Sequence, residues 1–173
     1  VCMLHITLKD GDVREVRENT TVEALCRELS MGLYRAACAA RIDGQVCDLR
    51  TPLTKDCALE ILTFEDEDGR RAFRHTASHI LAQAVMRLFP DVKFAIGPAI
   101  DNGFYYDFDK DTPFTQEDLE KLEKEMTAIA KESLPIERFG LEIGDARELM
   151  RDQPYKLELM EEHAGKGEAI SFY

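Results

Sequence analysis

Hydrophobic and polar residues alternate in short runs through the first part of the chain. Leu4, Ile6 and Leu8 alternate with less hydrophobic residues, which predicts a half-buried strand. Asp43 and Gly44 tolerate positive φ and separate two further runs, which predicts a tight hairpin at this point. The remaining strands of this region are predicted at residues 13–16, 37–42, 45–49 and 59–64.

One helix interrupts these strands. Its hydrophobic positions recur at helical spacing at Val22, Leu25, Cys26 and Leu29. Thr20 and Thr21 supply an N-cap, and Gly32 is expected to end the helix. A sheet crossed by a single helix within residues 1–65 predicts a β-grasp domain.

An acidic segment at residues 65–69 ends in glycine and predicts a boundary before a second domain. That domain is expected to open with a helix over residues 72–88. A strand pair at residues 94–96 and 104–108 follows, with Asn102-Gly103 as its turn. Helices and strands in two domains together predict an α+β fold for the chain.

Capping patterns predict the later helices. Thr115 with Asp118 predicts the start of a long helix, and Asp145 with Glu148 repeats the pattern. The long helix is expected to bury Leu119, Leu122, Met126 and Ile129. Pro154 can open a further helix through residue 163, and a last strand is predicted over residues 169–173.

Composition narrows the function classes. Acidic side chains outnumber basic ones 34 to 22, so a basic groove for nucleic acid is not expected. No hydrophobic run reaches the roughly 20 residues that a membrane span needs. The first residues lack the pattern of a signal peptide. The five cysteines never form a C-x-x-C pair, which predicts reduced core residues and a cytoplasmic location.

Two histidines form the main candidate for chemistry. His75 and His79 are one helical turn apart, so their rings lie on one face about 40° apart. Ala82 and Met86 continue this uncharged face, which is a candidate pocket floor. The apolar residues on the other side are Phe73, Ala77, Ile80, Leu81, Ala84 and Leu88.

Such a pair could move a proton, orient water or bind a metal, but hydrogen-bonded histidine pairs with no function are also common. A zincin motif would need Glu where Thr76 stands. Neither Cys57 nor His163 completes a metal site on sequence grounds, so no metal is predicted.

Three other residues are weaker candidates. Gly97 allows close approach of a backbone, and Tyr106 shares a strand face with Phe104 and Phe108, although a plain aromatic core explains this face too. Lys156 lies at a predicted helix start, where the helix dipole disfavours a cation; a ligand or simple solvation would account for it.

Two long motifs give the chain a resemblance. The segments HTASHILAQA at residues 75–84 and IGPAIDNGFYYDF at residues 96–108, behind a β-grasp region, closely resemble the N-terminal region of the threonyl-tRNA synthetase family. The resemblance implies a TGS domain over residues 1–65 and a partial editing domain over residues 70–173. That editing domain would hydrolyse serine mischarged onto threonine tRNA.

The resemblance also implies residue roles and partners. His75, His79 and Lys156 would be catalytic, Gly97 and Tyr106 would bind substrate, and no metal would be needed. The family pattern continues with an Asp and a C-x-x-x-H element beyond Tyr173, so a fragment that is inactive alone is expected. The partner would be the aminoacylated 3′ end of threonine tRNA.

The remainder of the parent protein is expected to form a homodimer and to use ATP, magnesium and zinc in its aminoacylation core. Two alternatives stay open. One is a regulatory or ribosome-associated RNA-binding module that carries a TGS domain without catalysis. The other is a freestanding deacylase.

Overall fold

A computed structural model describes residues 2–97, 99–100, 102–137, 139–165 and 171–172. The fold is α+β, as predicted. The chain divides into two compact units, Val1–His75 and Thr76–Tyr173, and the division falls inside a long helix. The elements of the first unit are β1 (Met3–Leu8), β2 (Val13–Arg17), α1 (Val22–Leu29), α2 (Met31–Ala36), β3 (Ala37–Ile42), β4 (Gln45–Cys47), β5 (Cys57–Thr63) and the start of α3 (Glu67–Leu88).

The first unit is built on a five-stranded sheet in the order β2-β1-β5-β3-β4. The central strands β1 and β5 are parallel, and all other neighbours are antiparallel. Asp43 and Gly44 both have positive φ, at 48° and 85°, and close the β3–β4 hairpin as predicted. This strand order with one helix across the sheet confirms the β-grasp prediction.

The helix that crosses this sheet has the predicted cap but not the predicted end. The Thr21 hydroxyl accepts the backbone N–H of Ala24, and Val22, Leu25 and Cys26 are buried. Gly32 does not end the helix, because α1 stops at Leu29 and Gly32 lies in α2. Ser30 separates the two helices, and its hydroxyl accepts the backbone N–H of Gly32 at 3.1 Å.

In the acidic segment predicted as a domain boundary, residues 65–66 precede α3 and residues 67–69 belong to its first turn. The boundary itself stays a prediction. The helix begins at Glu67, five residues earlier than expected, and Gly69 lies within it. Acidic residues suit a helix N-terminus, and Asp68 also pairs with Arg41 of β3 at 2.8 Å. Gly69 packs directly against the backbone of Thr63, where a Cβ would overlap the carbonyl oxygen.

The second unit carries short antiparallel strand pairs. They are β6 (Lys93–Phe94) with β9 (Phe108–Asp109), β7 (Ala99–Ile100) with β8 (Gly103–Phe104), and β10 (Phe139–Gly140) with β11 (Ser171–Phe172). Gly103 is the first residue of β8 and pairs with Ile100, so the prediction of Gly103 as a turn residue is wrong, whereas Asn102 does lie in a turn. Of the predicted last strand, residues 169–170 and 173 lie outside the described residues.

Three helices complete this unit: α4 (Gln116–Glu132), α5 (Ile143–Leu149) and α6 (Pro154–Gly165). Thr115 and Asp118 form the predicted capping box, but Leu119 is exposed rather than buried. The predicted second capping box is wrong, because α5 starts at Ile143 and its N-cap, Glu142, makes no side-chain capping bond.

The cysteines are unpaired, and burial differs among them. Cys26 and Cys57 are buried, Cys38 and Cys47 are half-buried, and Cys2 is exposed, so the core prediction is wrong for Cys2. Desolvation raises the pKa of the four less accessible thiols above the ordinary value. Among the described residues, none of the helices is long and apolar enough to cross a membrane.

Candidate functional site

The second unit contains a cavity of about 710 Å³, a size typical of small-molecule sites. Its walls are largely apolar. Three of the residues predicted from sequence, His79, Tyr106 and Lys156, lie in its lining. The rest of the lining is formed by Ala82, Gln83, Met86, Phe94, Leu134, Pro135, Ile136, Glu137, Met150, Gln153, Leu159, Met160, His163 and Phe172.

Helix α3 supplies one wall of this cavity through the predicted uncharged stripe. His79, Ala82 and Met86 all face it, so the pattern correctly indicated a pocket floor. The opposite face of α3 is less regular than predicted. Phe73 is 53% exposed and Leu88 is exposed as well. The buried residues of the helix are Gly69, Ser78, Ala84 and Val85.

Tyr106 stands in a cluster of aromatic rings. Its ring stacks on Phe108, with centroids 4.8 Å apart, and meets Phe94 edge-on at 6.0 Å. The backbone of Asp107, the next residue, exchanges hydrogen bonds with the strand opposite: its N–H donates to the carbonyl of Ile96, and its carbonyl accepts from the N–H of Ala95. Tyr106 is therefore held by the contacts of its ring and by the backbone hydrogen bonds of the residue that follows it.

Gly97 supports this arrangement from behind. It does not line the cavity, but it lies directly against the Tyr106 ring. A Cβ at this position would overlap the ring edge and would come within 2.7 Å of Cγ. Glycine is thus required for Tyr106 to keep its present place, which is the close approach that the sequence indicated.

Lys156 enters the cavity from the first turn of α6. Its Nζ lies 5.3 Å from the centroid of the Tyr106 ring, within the range of a cation–π interaction. The face of the ring is negative and offsets part of the unfavourable helix dipole at this position. The cavity therefore presents a cation held beside an aromatic ring, with the His79 imidazole also in the lining.

The cavity lining also includes residues that were not predicted from sequence, in α6 and directly before it. Gln153, Met160 and His163 line the same cavity as Lys156. Positions 153, 156, 160 and 163 recur every three or four residues, which places them on one helix face. This spacing can be recognised in the sequence. It predicts that the four residues share a face, but it does not predict that this face contacts the cavity.

His75 lies one turn before His79 on α3, on the same helix face, and does not belong to the cavity lining. The residue is exposed to solvent. Even so, the protein atoms around its ring lower the pKa of the imidazole below the ordinary value of 6.5, because desolvation disfavours the charged form. The neutral form needed to accept a proton is therefore favoured near neutral pH.

This pKa is directly measurable. We expect NMR titration of the histidine ring signals, assigned with His75→Gln, to place the pKa of His75 below 6.5. The unfolded chain then binds more protons than the folded chain, so His75 lowers stability as pH falls from about 6.5 through the folded-state pKa. Above that window it has no such effect. A pKa for His75 at or above 6.5 would contradict the desolvation argument.

No group of three or more His, Cys, Asp or Glu side chains within the described part of the chain is arranged to hold a metal ion. The metal-free site expected from sequence stays a prediction.

Comparison with known proteins adds the family context. The TGS domain model matches residues 4–63, which is the β-grasp sheet and its helices. The chain is 56% identical over 173 residues to a threonine–tRNA ligase of Acetivibrio thermocellus, and 56% identical to one of Clostridium tetani. Each match covers 99% of this chain and 27% of the relative.

The chain matches the N-terminal region of threonine–tRNA ligases along nearly all its length. A ligase of Clostridium perfringens is 52% identical over 171 residues, so the similarity extends through both units. The chain spans about a quarter of the length of these relatives. The TGS domain accounts for the first unit only, and the cavity lies in the part that this domain does not include.

Proposed function

We propose that residues 70–173 form part of an editing domain that hydrolyses serine mischarged onto threonine tRNA. The observation that supports this most is the cavity in which His79, Tyr106 and Lys156 lie together. All three are site residues predicted from the sequence. The similarity to threonine–tRNA ligases supplies the substrate class, because such ligases meet serine as a near-isostere of threonine.

The chemistry requires water to attack the carbonyl carbon of the aminoacyl ester. A new C–O bond forms, the ester C–O bond breaks, serine leaves as a carboxylic acid that ionises, and the ribose oxygen takes a proton. We propose that His79 and His75 orient the water and terminal ribose and that a neutral imidazole accepts the water proton. Lys156 would stabilise the negative charge that develops on the carbonyl oxygen.

Selectivity for serine follows from size. Serine and threonine share the hydroxyl and differ by one methyl group, which a synthetic pocket can exploit for only about 1–3 kcal/mol. A second pocket that admits serine and rejects threonine improves the discrimination. We propose that the Tyr106 ring, backed by Gly97, forms the wall that meets the amino-acid side chain. The ring has little freedom to yield, since Gly97 and Phe108 contact it.

The rest of the assignment concerns the whole ligase. We propose that the protein joins threonine to its tRNA with ATP and magnesium, holds zinc in its aminoacylation core, acts as a homodimer and works in the cytoplasm. These proposals rest on similarity to threonine–tRNA ligases that are nearly four times longer than this chain.

The test is a chimera in which these 173 residues replace the matching region of the Acetivibrio thermocellus ligase. We expect the chimera to hydrolyse seryl-tRNA specific for threonine in single-turnover assays, and to do so at least about tenfold faster than threonyl-tRNA, as one methyl group allows. The measured quantity is the first-order rate of deacylation of each aminoacyl-tRNA.

The matched control is the same ligase with residues 70–173 deleted, assayed with the same tRNA. Seryl-tRNA hydrolysis by the chimera no faster than by this control would overturn the proposal. It would instead favour the alternative of an RNA-binding module with a TGS domain, which predicts tRNA binding without deacylation. Equal rates on seryl- and threonyl-tRNA would contradict the selectivity assigned to the Tyr106 wall.

A further inference from the structure

We propose that Gln153 and Tyr155 are positioning residues that hold Lys156 over the Tyr106 ring. The consequence for catalysis rests on the proposed function, but the geometry itself does not. Lysine has a long flexible side chain. The position of its ammonium group is therefore well defined only if both the backbone and the end of the side chain are restrained. The structure fixes both, mainly through Gln153, which directly precedes α6, and Tyr155, which lies in the first turn of α6 before Lys156.

Gln153 provides the first tether. Its side-chain oxygen accepts the backbone N–H of Phe94 in β6 at 2.8 Å. Its own backbone carbonyl accepts the N–H groups of Lys156 and Leu157. One residue therefore closes the first turn of the helix and joins that turn to a strand. The bond is partly buried, so an unpaired Phe94 N–H would cost free energy.

Tyr155 provides the second tether. Its hydroxyl donates to Oδ2 of Asp109 in β9 at 2.9 Å. The carboxylate accepts this bond and raises the pKa of the phenol above its ordinary value, so the donor keeps its proton at neutral pH. Gln153 and Tyr155 thus anchor the helix start at separate points, two residues apart in sequence, with Pro154 between them.

Both anchors lie on the ladder that also positions Tyr106. Phe94 pairs with Phe108 in the β6–β9 ladder, next to the Lys93–Asp109 pair. The same ladder continues through the bonds between Asp107 and the opposite strand, one residue beyond Tyr106. The helix that carries the cation and the segment between β8 and β9 that carries the ring are therefore tied to one short piece of sheet. This explains how the 5.3 Å distance between Nζ and the ring is maintained.

Reductive methylation of the lysines with 13C-formaldehyde tests the geometry in the 173-residue chain. The dimethyl signal of Lys156, identified by its loss in Lys156→Arg, is expected upfield of other lysines because of the Tyr106 ring current. Tyr106→Leu should abolish this shift. We expect Gln153→Ala and Tyr155→Phe each to reduce it by at least about half, since each releases one of the two tethers.

The control variants carry the same kinds of substitution, Gln to Ala and Tyr to Phe, at positions that do not contribute to the tethers. Gln116→Ala and Tyr105→Phe alter exposed residues and should leave the Lys156 signal in place. Gln153→Glu keeps an oxygen acceptor for the Phe94 N–H and should restore most of the shift. Circular dichroism at the same temperature shows whether each variant is folded. An unchanged Lys156 signal in both folded tether variants would overturn the proposal.

The chimera then separates this inference from the proposed function. We expect Gln153→Ala and Tyr155→Phe to lower seryl-tRNA deacylation about tenfold or more, because small displacements of a catalytic group are costly. If the Lys156 signal moves but neither chimera loses activity while Lys156→Ala does, positioning for catalysis is refuted. If the signal moves and no chimera deacylates, the positioning stands and the proposed function fails.

Discussion

We expect His79→Ala to lower the single-turnover rate of seryl-tRNA hydrolysis by the chimera by about 10²- to 10⁴-fold, the usual contribution of a positioned acid or base. His79 is the histidine of the α3 pair that lines the cavity, so under the proposed function its loss would remove a proton acceptor from the site. Aminoacylation with threonine should change little, because that reaction belongs to another part of the ligase. The measurement compares deacylation and aminoacylation rates of the same preparation.

The matched control for this variant is His5→Ala. His5 lies in the first unit, exposed between Glu15 and Asp56, and its removal should leave deacylation unchanged. His75→Ala is expected to lower the rate too, since the resemblance gives both histidines a role. If His79→Ala deacylates seryl-tRNA at the parental rate, the catalytic role proposed for the face of α3 that lines the cavity is wrong.

Gly69→Ala is expected to destabilise the first unit by about 3 kcal/mol or more. Alanine normally stabilises a helix relative to glycine by up to about 1 kcal/mol. Here a Cβ would overlap the carbonyl oxygen of Thr63 and would come within 2.7 Å of its carbonyl carbon. Both neighbours are backbone atoms of a paired strand, which cannot rotate away, so the helix start or the strand must shift.

Hydrogen exchange measures this effect locally, through the free energy of opening at the Ile6 and Leu62 amides in the central strands. Gly32→Ala is the matched control, because a Cβ there would lie 3.4 Å from the Ser30 hydroxyl, an ordinary contact in the same unit. We expect that variant to be neutral or slightly stabilised. Equal opening free energies in the Gly69→Ala variant and the original chain would show that the backbone at Thr63 can shift at little cost in free energy.

Local chemistry made several features predictable from sequence. Thr115 and Asp118 are three residues apart and cap each other, so their bonds depend on neighbours in sequence alone. The same holds for Asp43 and Gly44, whose positive φ angles suit their residue types. The cavity stripe of α3 was predictable too, because helical periodicity decides which residues share a face.

Features decided by distant partners were not predictable. The acidic segment at residues 65–69 predicts a domain boundary but not the start of α3 at Glu67, where Arg41 binds Asp68 and Gly69 fits against Thr63. Leu119 belongs to the amphipathic stripe of α4 and is still 51% exposed. Periodicity defines the face of a helix without defining how much of its length the rest of the protein covers.

The candidate site shows the same division. Residue type and motif predict Lys156 and Tyr106 as site residues, whereas their 5.3 Å approach depends on a helix meeting the β8–β9 segment about 50 residues away in sequence. His163 was not predicted to line the site, because α6 has no clear amphipathic pattern from which the orientation of a single histidine could be predicted. The spacing from Gln153 to His163 becomes informative only once one member of the series has been placed in the cavity.

The single face of α6 that lines the cavity restricts how this segment can change its length. One residue inserted between Gln153 and Lys156 would rotate everything after it by about 100°, carrying Lys156, Met160 and His163 away together. Substitutions can be absorbed one at a time, but an insertion or deletion here removes a cation, a thioether and an imidazole in one event. Variation in α6 should therefore be confined to residue exchange, with its number of residues held constant.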